Sequence, residues 1–203
     1  MEQRDTVKEL LEQRGQSYAE EAGITLGDKP SPLYRLLVLA TLLSKPISSG
    51  VAVAAARELF KAGCRTPQRM LAASWQDRVD ALGRGHYRRY DESTATILAD
   101  SAQLCLDSWG GDLRRLHEEG GSDVRALKDL LTRFPGIGPT GADIFLREVQ
   151  GVWPDIAPYA DQKVLDGARR AHLPADPDEL AGLVPAGELP VLMSALVRVG
   201  REH

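Results

Sequence analysis

The sequence predicts an all-α protein, for three reasons that precede any motif. Leu and Ala are abundant while aromatic residues make up only 5%, and both are strong helix formers. Capping residues, three of them followed directly by proline, recur at the spacing of short helices. No stretch shows a convincing period-two alternation, which a half-buried strand needs. With 203 residues, 43% of them hydrophobic, the chain can fill one large domain or two small ones sharing a cleft.

Residues 5–14 read as a first helix ending at Gly15, and 17–31 as mostly irregular chain. Ser31-Pro32 pairs an N-cap with proline at the first helical position. Behind it Leu33, Leu36, Leu37, Ala40 and Leu43 share one helical face. Ser48-Ser49-Gly50 opens the next helix, which runs to Gly63, and Thr66-Pro67 repeats the cap-plus-proline signal. Ser74, with Asp77 three residues on, starts a helix that Gly83 stops. A long helix is expected from Tyr87 to Trp109, a short one opens at Asp112, and Ser122 caps one ending near Arg133. Further helices follow Asp161 and Asp176, the second with a capping box through Glu179, and a last one spans 188–200. Trp75 reads as core, and His117 and His172 as helix-surface residues.

The formal net charge is −4, but it is unevenly spread: residues 34–90 carry ten Lys/Arg against three Asp/Glu, and the rest 15 against 26. A basic stretch of net +7 in an acidic chain suggests a polyanion-binding face. Two cysteines, Cys64 and Cys105, make no disulfide framework, and the Met-Glu-Gln-Arg-Asp start lacks the apolar core of a signal peptide. No apolar run is long enough for a membrane span. A cytoplasmic protein with no membrane partner is the expectation.

The most informative segment is Leu130-Leu131-Thr132-Arg133-Phe134-Pro135-Gly136-Ile137-Gly138-Pro139-Thr140-Gly141-Ala142-Asp143. A leucine-rich helix runs into Pro-Gly-Ile-Gly, and a second helix starts at Pro139. Gly136 and Gly138 can take positive φ and carry no Cβ, so their N–H groups can approach a phosphate closely. The N-terminus of the second helix adds donors and its dipole, while Ile137 points inward. Such a turn grips a nucleic-acid backbone without reading sequence. The alternative is a tight structural turn between helices.

This segment resembles the helix-hairpin-helix signature of the endonuclease III superfamily of DNA glycosylases. The resemblance covers about residues 30–172 and takes in Gly151-Val152-Trp153-Pro154-Asp155-Ile156-Ala157-Pro158-Tyr159-Ala160-Asp161, which fits the family's Gly/Pro-rich connection to a catalytic aspartate. It implies an endonuclease III-like fold: a helical barrel domain over 27–145, a second helical domain from 1–26 and 146–203, and Asp161 at their junction. Double-stranded DNA with a damaged base is the implied partner, bound by a monomer. Gly136, Gly138, Thr140, Arg133 and Lys45 would contact its backbone.

A carboxylate beside the sugar stabilises the positive charge that builds as an N-glycosidic bond breaks, and can orient the attacking water. Asp161 is the candidate; its competing role is a helix N-cap, and Asp155 is the nearest rival. Bifunctional relatives carry a lysine where Thr140 stands, and threonine cannot form a Schiff base. A monofunctional glycosylase is therefore expected. The iron–sulfur cluster of many relatives needs four closely spaced cysteines, and none follows Cys105. No other metal site is expected, although the hairpin carbonyls suit a monovalent cation.

The family's base-wedging loop corresponds to Gly83-Arg84-Gly85-His86-Tyr87-Arg88-Arg89-Tyr90. His86 and Tyr87 are the candidate wedge and Arg84 and Arg88 its phosphate contacts; the alternative is a solvated loop anchored by its tyrosines. Pro46 stands where relatives place a glutamine that fills the duplex gap. Trp153 and Tyr159 flank Asp161 as candidates for the base pocket. Two other readings stay open: a non-catalytic protein that recognises abasic or distorted DNA, and a protein-interaction module using the acidic half.

Overall fold

The computed structural model describes residues 2–202, and all regular structure among them is helical. The helices are α1 (Gln3–Arg14), α2 (Tyr18–Glu21), α3 (Pro30–Leu43), α4 (Ser49–Lys61), α5 (Pro67–Ala72), α6 (Trp75–Arg84) and α7 (Asp91–Trp109), then α8 (Leu113–Gly120), α9 (Val124–Leu131), α10 (Pro139–Val149), α11 (Gln162–Arg170), α12 (Pro177–Ala181) and α13 (Leu189–Arg201). Among the described residues no helix is long and apolar enough to cross a membrane.

Most caps fall where local chemistry places them. Ser48 accepts from the Val51 N–H, Thr66 from Arg69, and Ser74 and Asp77 form a reciprocal capping box. Several boundaries differ, and α2 forms within 17–31, a stretch expected to be mostly irregular. Helix α3 starts at Pro30 rather than after Ser31, because the Ser31 hydroxyl donates instead to the Arg65 carbonyl at 3.0 Å. Asp123, not Ser122, caps α9, accepting from Arg125 and Ala126. Helix α7 starts at Asp91 rather than Tyr87, since residues 85–90 form the turn described below. Trp75 is also not core: it is 42% exposed, its indole N–H donating to the Glu92 carbonyl.

The chain folds as two compact units. One pairs the stretch through Glu21 with the stretch from Leu146 onward; the other is Ala22–Phe145. In the larger unit α3 packs on α4 and α8, α4 on α6, and α7 on α5, α6 and α8. Its core is built on α3, where Leu33, Leu36, Leu37, Leu39 and Leu42 are all buried. In the smaller unit α13 packs on α11 and α1, around Val7, Val164, Leu180, Leu192 and Leu196.

Candidate functional site

The hairpin between α9 and α10 is seated from both sides. Phe134 is buried and meets Trp109, at the end of α7, with ring centroids 5.3 Å apart. Ile137 is buried as its position requires. Lys128 of α9 and Asp143 of α10 close an ion pair at 2.9 Å. The hairpin rests on the last turn of α3, where the Ser44 hydroxyl donates to the Thr41 carbonyl at 2.8 Å and reaches the Gly136 carbonyl at 3.3 Å.

The two glycines have different reasons to be glycine. Gly136 has φ +83, and a Cβ there would stand 2.7 Å from Ile97 Cγ2 and 3.1 Å from Thr41 Cγ2. Gly138, expected to share that conformation, does not, and nothing lies within 4 Å of where its Cβ would be. Gly136→Ala is therefore expected to cost about 1–3 kcal/mol through strain and overlap, and Gly138→Ala close to none. Urea unfolding of the two variants checks the contrast.

Arg133, Gly138, Pro139 and Thr140 form an exposed rim. The Gly138 N–H has no acceptor among the described residues, and Thr140 and Gly141 open a helix whose first-turn N–H groups have no intrahelical acceptor. Donors, dipole and an exposed arginine thus lie along one rim.

The turn after α3 and the loop after α6 meet beside this region. The Lys45 ammonium lies 5.7 Å from the Tyr90 ring centroid, and the Arg89 guanidinium 5.3 Å from it. Pro46 is exposed.

The loop itself is a helix C-terminal motif with an unusual residue. The Tyr87 N–H donates to the Leu82 carbonyl at 3.0 Å and the His86 N–H to Gly83 at 2.9 Å, the paired bonds of a Schellman ending. The left-handed position, normally glycine, is His86 with φ +66; His172 ends α11 in the same way with φ +58. Gly85 presses on α4, where a Cβ would meet the Ala55 backbone at 2.5 Å. Tyr87 must be withdrawn as a wedge: it is 1% exposed, with its hydroxyl 3.1 Å from Thr94 Oγ1. It is the anchor, and exposed His86 is what the anchor displays. Arg84, paired with Glu58 at 3.3 Å, and Arg88 are exposed beside it. His86→Gly is expected to stabilise the protein by about 1 kcal/mol by relieving the left-handed backbone, read as a raised urea midpoint.

In the smaller unit, Asp161 precedes α11 at the N-cap position, but its side chain caps nothing. It turns instead to Arg147 of α10, whose Nη1 lies 3.1 Å from Oδ1 and 3.4 Å from Oδ2. The two side chains are 3% and 6% exposed. Trp153 and Tyr159, expected beside a pocket, are both buried. Asp155 is exposed in a short 3-10 turn, Pro154–Ile156.

Three organising residues carried no sequence signal, because each is a charged or amide side chain at the end of a helix that reads as ordinary. Besides Arg147, Gln150 ties the connection to α10: its amide accepts from the Tyr159 N–H and donates to the carbonyls of Tyr159 and Arg147, each at 2.9 Å. Glu148 is fully buried and accepts from the Tyr18 and Ala19 N–H groups and the Ser194 hydroxyl.

Burial is the main force raising the Glu148 carboxyl above its ordinary value, with Arg147 and its donors opposing. The folded state then holds this proton more tightly than the unfolded chain. Its contribution to stability is complete below the ordinary glutamate range and declines as pH rises toward the folded value. Glu148→Gln, which keeps an acceptor for Tyr18 and Ser194, is expected to remove that decline from a pH series of melting temperatures.

Among the described residues no three His, Cys, Asp or Glu side chains are placed to hold a metal ion. No family model matches the chain, and no curated protein does. Solved structures do. An endonuclease III trapped as a covalent intermediate with DNA, in an estranged-adenine complex, matches with a TM-score of 0.55 at 16% identity, over 96% of this chain and 82% of that one. A non-covalent endonuclease III–DNA complex matches with a TM-score of 0.57 at 17% identity, over 98% of this chain and 85% of that one. Its helices are thus arranged as theirs are, and the chain has an endonuclease III-like helical fold.

Proposed function

We propose that this protein is a monofunctional DNA glycosylase of base excision repair, hydrolysing the bond between a flipped damaged base and its sugar without cutting the strand. The observation that carries the proposal is the hairpin: buried Ile137 and Phe134 hold an exposed Gly138 and the start of α10 outward. The same chain presents the buried carboxylate of Asp161 at the head of α11. Both neighbours are DNA complexes, which supports duplex DNA as the partner.

In this reading the Gly138 and Thr140 N–H groups, with Arg133 and Lys45, hold phosphates. The exposed His86 enters the gap left by the flipped base, with Arg84 and Arg88 on the backbone beside it. Asp161 stabilises the cationic sugar and directs water to its anomeric carbon. A monovalent cation, if bound at the hairpin, would use the carbonyls of Phe134, Gly136 and Gly138. Each accepts one hydrogen bond and retains a second lone pair.

Thr140 has no amine, so no imine forms there. The test is a panel of duplexes bearing alkylated purines, uracil, mismatched pyrimidines or oxidised purines. Strand breaks should appear only after alkali, and borohydride should trap no adduct. An efficient covalent adduct rejects the monofunctional reading.

A second reading, DNA recognition without catalysis, is favoured by one observation: the Asp161 side chain is only 6% exposed and is ion-paired. It predicts binding to abasic or distorted duplexes with no base released from any of them.

A further inference from the structure

Away from the hairpin, α4 and α5 and the turn between them frame an open cleft of about 420 Å3. Lys61, Arg65 and Arg69 line it together with the hydroxyls of Ser31 and Thr66, and no carboxylate does. None of the three cations makes an ion pair among the described residues. Several arginines elsewhere are paired, as in Arg84 with Glu58, Arg114 with Asp112 and Arg169 with Asp166.

The cluster is braced. Arg65 Nε donates to the Phe60 carbonyl at 3.0 Å, and the Arg65 carbonyl accepts from Ser31. A fourth cation, Arg35, sits 5.9 Å from the Phe60 ring centroid, its buried Nε without an acceptor among the described residues. Burial and the like charge of Arg65 both hold its guanidinium below the usual arginine range. Gathering like charges without an ion-paired counter-charge is unfavourable in the free protein, and a bound polyanion lowers the penalty.

Place separates this cleft from the hairpin. Ser31 and Arg35 lie in the first turns of α3, whereas the hairpin rests on Ser44 at its end. The length of helix between Ser31 and Ser44 puts about 20 Å between them. The cleft is open and Lys61, Arg65 and Arg69 are exposed, which suits phosphates of a passing chain better than one enclosed small anion.

We propose that Lys61, Arg65 and Arg69, backed by Arg35, form a second nucleic-acid backbone site that binds phosphodiesters of a segment other than the one on the hairpin. It rests on the reading of the chain as DNA-binding, not on its being a glycosylase. The experiment measures affinity for a long undamaged duplex across a salt series.

The triple variant Lys61→Gln/Arg65→Gln/Arg69→Gln should flatten the slope of log K against log salt by about 2–3, at roughly 0.9 for each phosphate no longer neutralised. Lys61→Gln/Arg69→Gln, which keeps the brace at Arg65, should flatten it by about two-thirds as much. A charge-matched control, Arg4→Gln/Lys8→Gln/Arg125→Gln, should leave it unchanged. An unchanged slope in the cleft variants, with binding still weakened by Arg133→Gln, overturns the cleft and leaves the hairpin reading standing. Absence of duplex binding by the wild type at low salt overturns both. Thermal stabilisation by pyrophosphate that the triple variant abolishes, with the duplex slope unmoved, assigns the cleft to a small anion and overturns the backbone proposal.

Discussion

Replacing Arg147 with Met is expected to cost about 3–5 kcal/mol, because it strands a buried carboxylate that has lost its ion-pair partner. Both side chains are almost wholly removed from solvent, so water cannot replace the missing bonds. In a chain of this length that corresponds to a fall in melting temperature of roughly 6–20 °C. The pair is not thereby a net source of stability. Arg147 Nε is itself a buried donor without an acceptor among the described residues, and an ion pair of this kind is often matched by apolar replacement of both partners. The double variant Arg147→Met/Asp161→Leu should therefore be more stable than Arg147→Met alone. Thermal and urea unfolding of the wild type, the two single variants Arg147→Met and Asp161→Leu, and the double variant gives the coupling energy. Additive losses would show that the two side chains act independently, against the geometry.

The second large effect concerns chemistry. Asp161→Asn is expected to lower single-turnover base excision by about 10²–10⁴. Asparagine retains an oxygen for the Arg147 guanidinium, so the loop before α11 keeps its main tether, and Gln150 still holds Tyr159. What disappears is the negative charge that opposes the developing cation. The comparison is Asp155→Asn, an exposed change six positions earlier, which should leave excision untouched. Circular dichroism at the assay temperature separates a chemical loss from an unfolded variant. Wild-type rates in Asp161→Asn, or equal losses in the two variants, would remove Asp161 from the mechanism and favour the non-catalytic reading.

Why an arginine is buried against this aspartate follows from the same chemistry. A carboxylate held in the interior needs a charged or multiply donating partner, and α11 does not supply one, since its first N–H groups are not bonded to the Asp161 side chain. Arg147 takes that place from α10, the helix that the hairpin begins.

What the sequence by itself determined is local. The fold class, most caps, the inward Ile137 and the turn at Pro135-Gly136 all depend on backbone conformation and on neighbours a few residues away, and those neighbours are written in order along the chain. What only the tertiary structure decided depends on partners distant in sequence. The burial of Tyr87 against Thr94 made His86 the displayed residue. The exposure of Trp75 followed from a carbonyl on another helix, and the shift of the α3 start to Pro30 from a hydroxyl drawn to Arg65. Arg147, Glu148 and Gln150 showed nothing of their roles because a buried polar side chain is defined by what it meets. Those partners, Asp161, Tyr18, Ser194 and Tyr159, reach them only when the chain closes on itself.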